Sequence, residues 1–169
     1  CAKPLAEGYL PTDKLRKYKL ISTINKAIQM KLPFLGICLG MQLLFDESEE
    51  VIGSDEPSAS TVKGLGVLPG RIIRFRETAG YKIPQIGWNS LSISNNDSRL
   101  FKGIDDGTFV YFVHSYYLSA GNCEDVAAKT EYINIFDSAV EHENVFGCQF
   151  HPEKSGEQGL EILRNFCNV

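Results

Sequence analysis

A thiol framed by two glycines stands at Gly36-Ile37-Cys38-Leu39-Gly40. A G-x-C-x-G segment between an apolar run and a helical pattern has the form of a nucleophile elbow. In such an elbow a sharp strand-to-helix turn lifts the reactive side chain clear of the sheet. The glycines let the backbone turn and let another segment pass close by. A thiol at a helix start meets a favourable dipole and free N–H groups, which favour the thiolate. The Leu39 amide is placed to hold an oxyanion. The plainer reading of the same five residues is a small buried hydrophobe in a tight turn.

Thiol acyl transfer needs a base, and a group to orient that base. The chain offers three histidines, His114, His142 and His151. His151 lies at the end of an extended run in GCQFHPEKSG, with Glu153 two residues on. In an extended segment those two side chains point the same way, so Glu153 can orient His151. Pro152 stops the strand there. The competing reading is a surface His-Pro turn with a solvated glutamate, and the elbow tips the balance towards catalysis. His114 ends the apolar run FVYFV and is either a second base or a structural histidine bonded to backbone. His142, in Glu141-His142-Glu143, reads as a solvated hairpin turn. Cys148 reads as core, Cys123 and Cys167 as residues without assigned chemistry. Trp88, the one tryptophan, sits in a loop-like Gly-Trp-Asn and is either a core plug or a partner contact.

Elements must hold these groups. Residues 12–31 carry Leu15, Tyr18, Ile21, Ile24 and Ile28 at helical steps, with Thr12 as the cap and Pro33 as the stop. Residues 32–38 form a short apolar run suited to a buried parallel strand. A second helix starts near Leu39, with Met41, Leu44 and Phe45 on one face. Residues 53–66 read as a loop. Residues 67–75, 81–86 and 90–93 are short strand candidates, with Gly87 to Asn89 interrupting them. Residues 109–113, 138–141 and 145–150 are further strands. Residues 155–169 form a final helix with a Ser155/Gln158 capping box and Leu160, Leu163 and Phe166 facing inward. Helix, strand, sharp turn and helix make an α/β fold, an open, mostly parallel or mixed sheet flanked by helices.

The 169 residues suit one domain, with 43% hydrophobic and 22% charged residues. A formal net charge of −4 without a basic stripe gives no support for nucleic acid or anionic membranes. No apolar run approaches the ~18 residues of a membrane span. Five cysteines at wide spacings form neither a disulfide framework nor a zinc pattern, so the reducing cytoplasm is the expected compartment and no metal is expected. No nucleotide-binding loop is present, and no cofactor is expected.

GICLGMQLLF and GCQFHPEKSG together resemble the class I (triad) glutamine amidotransferases. GLGVLPGRIIRF, KIPQIGWNSL and YFVHSYYL are similar to the glutaminase subunits of imidazole glycerol phosphate synthase, from histidine biosynthesis. The resemblance implies a Cys38-His151-Glu153 triad that hydrolyses glutamine through a glutamyl thioester. It implies substrate contacts at Gly36, Leu39, Gln42, Ser115 and Tyr116, and a partner face at Trp88, Asn89 and Lys154. The implied partner is a (β/α)8-barrel cyclase, which receives the ammonia. Gln85 stands where the family often has histidine. The family also begins with a further strand-helix-strand portion that has no match here, about 40 to 50 residues on that comparison. The expectation is therefore one glutaminase domain over 1–169, N-terminally truncated, inactive alone and poorly folded. Three other readings remain: a paralogous subunit supplying ammonia for sugar amination in surface polysaccharides, a non-catalytic regulatory binding module, and a cysteine protease or peptidase-like relative of the same fold.

Overall fold

The computed structural model describes residues 20–50 and 61–169, with Leu15 and Tyr18. The Thr12 cap and most of the 53–66 loop lie outside the described residues. Helix α1 covers Leu20–Gln29. It ends where Lys31 takes a left-handed φ of 60° and the Leu32 amide reaches back to the Ala27 carbonyl at 3.1 Å. That is a Schellman-type stop, and Pro33 follows it. Strand β1 is Phe34–Ile37 and the short helix α2 is Leu39–Gln42. Strands β2 (Glu47–Ser48), β3 (Val62–Lys63), β4 (Gly70–Arg74), β5 (Gln85–Ser90) and β6 (Ser92–Ile93) follow. Then come β7 (Phe109–His114), β8 (Tyr116–Ala120), β9 (Val126–Glu131), β10 (Ile135–His142) and β11 (Val145–Cys148). Helix α3, Gly156–Cys167, closes the chain.

The main sheet is mixed and runs β1-β11-β10-β8-β4-β2-β3, with β9 on β10 and β6 on β9. The β1–β11 and β2–β4 pairs are parallel. Strands β5 and β7 form a separate antiparallel ribbon. Alternation along the strands divides the core into two clusters. Phe112, Phe136, Phe146, Phe150 and Ile162 pack between the sheet, the ribbon and α3. Met41, Leu44, Ile72, Val140 and Val145 pack on the opposite side, with Ile28 of α1 against them. Each fully buried phenylalanine contributes roughly 2–3 kcal/mol of transfer free energy.

Three sequence expectations change. Gly87 to Asn89 lie inside β5, paired with Phe112, Tyr111 and Val110. Gly87 fits there because its φ is 140°, and a glycine in a strand reads as a break from sequence alone. Ser155 makes no capping bond. Its hydroxyl donates to the His151 carbonyl at 2.6 Å and accepts from the Tyr111 amide at 2.9 Å. Leu160 is exposed, and α3 buries Gly159 and Ile162 instead.

Candidate active site

Parallel pairing aligns Gly36 with Gly147 and Ile37 with Cys148, so β1 and β11 end at the same edge of the sheet. Ligands of α/β folds gather at such strand ends. The Cys38 amide adds one more rung, to the Cys148 carbonyl at 2.8 Å, and then the chain turns. At Cys38 φ is 51° and ψ is −110°. A side chain rarely adopts this backbone, and the strained turn sets the half-buried thiol at the head of α2. Two absent side chains permit the turn. A Cβ on Gly36 would meet the Gly40 carbonyl oxygen at 2.6 Å. A Cβ on Gly147 would meet Met41 Cγ at 2.5 Å, so α2 could not lie on β11. Gly40 itself has open space around its missing Cβ.

The electrostatics at Cys38 oppose the expected helix effect. Burial pushes the thiol above its ordinary range, and the charges of Glu50 and Glu153 push it the same way. The Leu39 amide and the Gln149 side chain pull it down only in part. Buried Cys148, beneath, stays a neutral thiol because burial raises it strongly. Cys38 thus rests as a neutral thiol.

His151 and Glu153 stand just past the end of the neighbouring strand β11. The His151 Nδ1 lies 2.6 Å from Glu153 Oε1. This contact fixes the orientation of the ring. The His151 amide donates to the Tyr111 carbonyl at 2.9 Å, and Ser155 holds the other end of the turn. The loop bearing His151 and Glu153 is therefore fastened to the β5–β7 ribbon.

Gln42 is buried, and its side-chain amide donates to the Tyr116 carbonyl at 3.1 Å and to Gln149 Oε1 at 2.8 Å. Both of its N–H bonds are spent inside the protein, which leaves its carbonyl oxygen for a ligand donor. Leu39, Gln42, Ser48, Glu50 and Lys63 line one small pocket beside the elbow. Burial raises the Glu50 carboxyl above its usual range. Glu50 and Gln149 were missed from sequence. Glu50 ends an acidic run, Asp46-Glu47-Ser48-Glu49-Glu50, that resembles a solvated stretch; Gln149 hides in a β pattern between Cys148 and Phe150.

His114 is a structural histidine. Its Nδ1 faces the Tyr116 carbonyl at 2.7 Å and its Nε2 faces Gln85 Oε1 at 2.9 Å. Burial lowers its pKa to about 4, against the Tyr116 carbonyl bond, and His151 lowers it further. A neutral imidazole donates from one nitrogen only, so with Nδ1–H on the Tyr116 carbonyl the Gln85 amide serves it by turning its N–H toward Nε2. Ser115 offers its backbone carbonyl to the Phe75 amide at 3.0 Å, and Tyr116 binds Gln42 through its carbonyl. His142 closes the β10–β11 hairpin and lies 2.8 Å from Asp125. Trp88 is 55% exposed and its ring edge lies against Gly156, and Lys154 is exposed in the preceding turn. The Asn89 amide is tied inward, to the Glu131 carbonyl at 2.8 Å.

Residues 11–169 match the family described as Glutamine amidotransferase class-I, and the chain belongs to that family of glutamine-hydrolysing enzymes. It is similar to proteins described as imidazole glycerol phosphate synthase subunit HisH. With that of Methanocaldococcus jannaschii it shares 46% identity, over 89% of this chain and 70% of the relative. With that of Archaeoglobus fulgidus it shares 44%, over 92% of this chain and 72% of the relative. Among solved structures, PurLQS from Thermotoga maritima superposes with a TM-score of 0.64 at 21% identity, over 89% of this chain and 68% of that one. At that identity the likeness speaks for the fold.

Proposed function

We propose that the chain is the glutaminase subunit of an imidazole glycerol phosphate synthase, working through Cys38, His151 and Glu153. The observation that carries this reading is the shared strand edge: the strained Cys38 leaves β1 where the 2.6 Å His151–Glu153 pair leaves its parallel neighbour β11. The relatives named as subunits of that synthase supply the pathway.

In this mechanism His151 takes the Cys38 proton as Sγ attacks the side-chain carbonyl carbon of glutamine. The developing oxyanion faces the Leu39 amide. His151 returns the proton to the departing nitrogen, the C–N bond breaks, and ammonia leaves a glutamyl thioester. Water then attacks the thioester, giving its proton to His151, and glutamate and the free thiol result. Glu153 holds the imidazole throughout and stabilises its charged form. Glu50 offers a carboxylate to the α-ammonium group of the substrate, and Gln42 offers its carbonyl oxygen to a substrate N–H. Ammonia passes to a (β/α)8-barrel cyclase that docks at the Trp88 and Lys154 face of the β5–β7 ribbon. No cofactor or metal takes part.

Glutamate release by the full-length chain, mixed with its cyclase subunit, tests this reading. Activity stimulated by the cyclase's nucleotide substrate and abolished in Cys38→Ala is expected. Cys38-dependent activity indifferent to that nucleotide would point to another ammonia acceptor, such as a sugar. Complete inactivity would leave a regulatory binding module.

A further inference from the structure

We propose that Gln149 is a further catalytic residue, whose side-chain amide donates a hydrogen bond to the Cys38 sulfur while Gln42 grips its other end. The inference rests on Cys38 being the nucleophile. Gln149 is fully buried, and its Nε2 lies 3.6 Å from Cys38 Sγ. Its Oε1 accepts from Gln42 Nε2 at 2.8 Å, and Gln42 is held in turn by the Tyr116 carbonyl. The Gln149 amide nitrogen of the backbone binds the Ser138 carbonyl at 2.8 Å, which fixes the base of the side chain. A buried amide without partners would be costly, so each bond constrains the others.

The consequence is directional. With its oxygen engaged by Gln42, Gln149 can present only N–H to the sulfur. That N–H serves the thiolate better than the thiol, because bonds to charged groups are the stronger ones. Glu50, Glu153 and Cys148 face the thiol without favouring the thiolate, and His151, the base of the proposed mechanism, favours it only once it has taken the proton. Gln149 and the Leu39 amide are the groups that oppose them. The same side chain ties the nucleophile to Gln42, so a ligand that moves Gln42 also moves the donor on sulfur.

Gln149→Met keeps the length of the side chain and removes both bonds. Gln149→Glu keeps an oxygen for Gln42 and removes the N–H. In the full-length chain, iodoacetamide labelling of the Cys38 peptide is followed by mass spectrometry between about pH 6 and 10, apart from the other cysteines. Loss of the donor should raise the Cys38 midpoint by about one pH unit in Gln149→Met, and by more in Gln149→Glu, whose carboxylate adds the upward push that Glu50 and Glu153 already give. With the cyclase present, kcat for glutamine should fall about tenfold and KM should stay within about threefold. Midpoints that do not move in folded variants overturn the proposal, as does a purely KM effect. Should both variants fail to fold, the side-chain amide resonances of Gln149 in labelled native protein must shift as Cys38 titrates; static resonances overturn it. If the native complex hydrolyses no glutamine, the mechanism above fails, yet the labelling still decides whether Gln149 bonds the thiolate.

Discussion

Replacing Cys38 with glycine should give a more stable protein than replacing it with alanine. Cys38 sits at φ 51° and ψ −110°, outside both the right-handed and left-handed helical regions. A residue with a Cβ there costs about 1–3 kcal/mol. Glycine escapes that cost, but its freer unfolded chain takes back about 0.4–1 kcal/mol. Cys38→Ala is the right reference, since it removes the sulfur and keeps the Cβ. Cys38→Gly should therefore exceed Cys38→Ala by about 1 kcal/mol. For a chain of this size that is a rise of about 2–4 °C in Tm. Thermal melts of the two full-length variants, followed by circular dichroism, give the comparison; both should be inactive. A Cys38→Gly variant that melts at or below Cys38→Ala would refute the reasoning, because the turn would then carry no strain to release.

The remaining predictions concern the supports of the site. His114 has a folded pKa of about 4, below the ordinary value near 6.5. The unfolded histidine takes up a proton as pH falls through about 6.5, and the folded one waits until about 4. Stability thus drops with acid across that window, by about 3 kcal/mol in all. His114→Gln should lose about 3 kcal/mol less than native protein between pH 7 and 4, as read from urea melts. A Cβ on Gly159 would lie 2.0 Å from the Pro152 carbonyl oxygen. Gly159→Ala should therefore destabilise by about 3 kcal/mol or more and displace the His151 loop, which melts and glutaminase assays will show together. Trp88 is largely exposed, so Trp88→Ala should leave Tm unchanged within about 1–2 °C and weaken cyclase binding at least tenfold in calorimetry.

Short-range chemistry was the most legible part of the sequence. The turn at Cys38 and the His151–Glu153 hydrogen bond follow from local spacing and are present, but burial outweighs the helix-start effect expected to favour the thiolate. Strand β1 and the β10–β11 hairpin follow from apolar runs and a charged turn. What escaped depended on distant partners. Strand β9, VAAKTE, has weak β character and is held by pairing along β10. Strand β8 follows His114 after a single residue, so its sequence reads as the tail of β7. Ser155 looked like a cap because a Ser with Gln three residues later usually is one. Here the Tyr111 amide and the His151 carbonyl claim its hydroxyl first. Gln149 and Glu50 gained their roles from burial, which no local pattern announces.

The pairing of β1 with β11 also sets when the nucleophile comes into being. The bond from Gln149 to Cys38 spans 111 positions of chain. Contacts of such separation carry a loop-closure cost and form slowly. Until β11 emerges and docks, Cys38 has neither its rung to Cys148 nor its amide donor, and it behaves as an ordinary exposed thiol. On the proposed mechanism, glutamine hydrolysis therefore requires completed folding, and a chain whose β11 has not docked has no assembled site to spend glutamine.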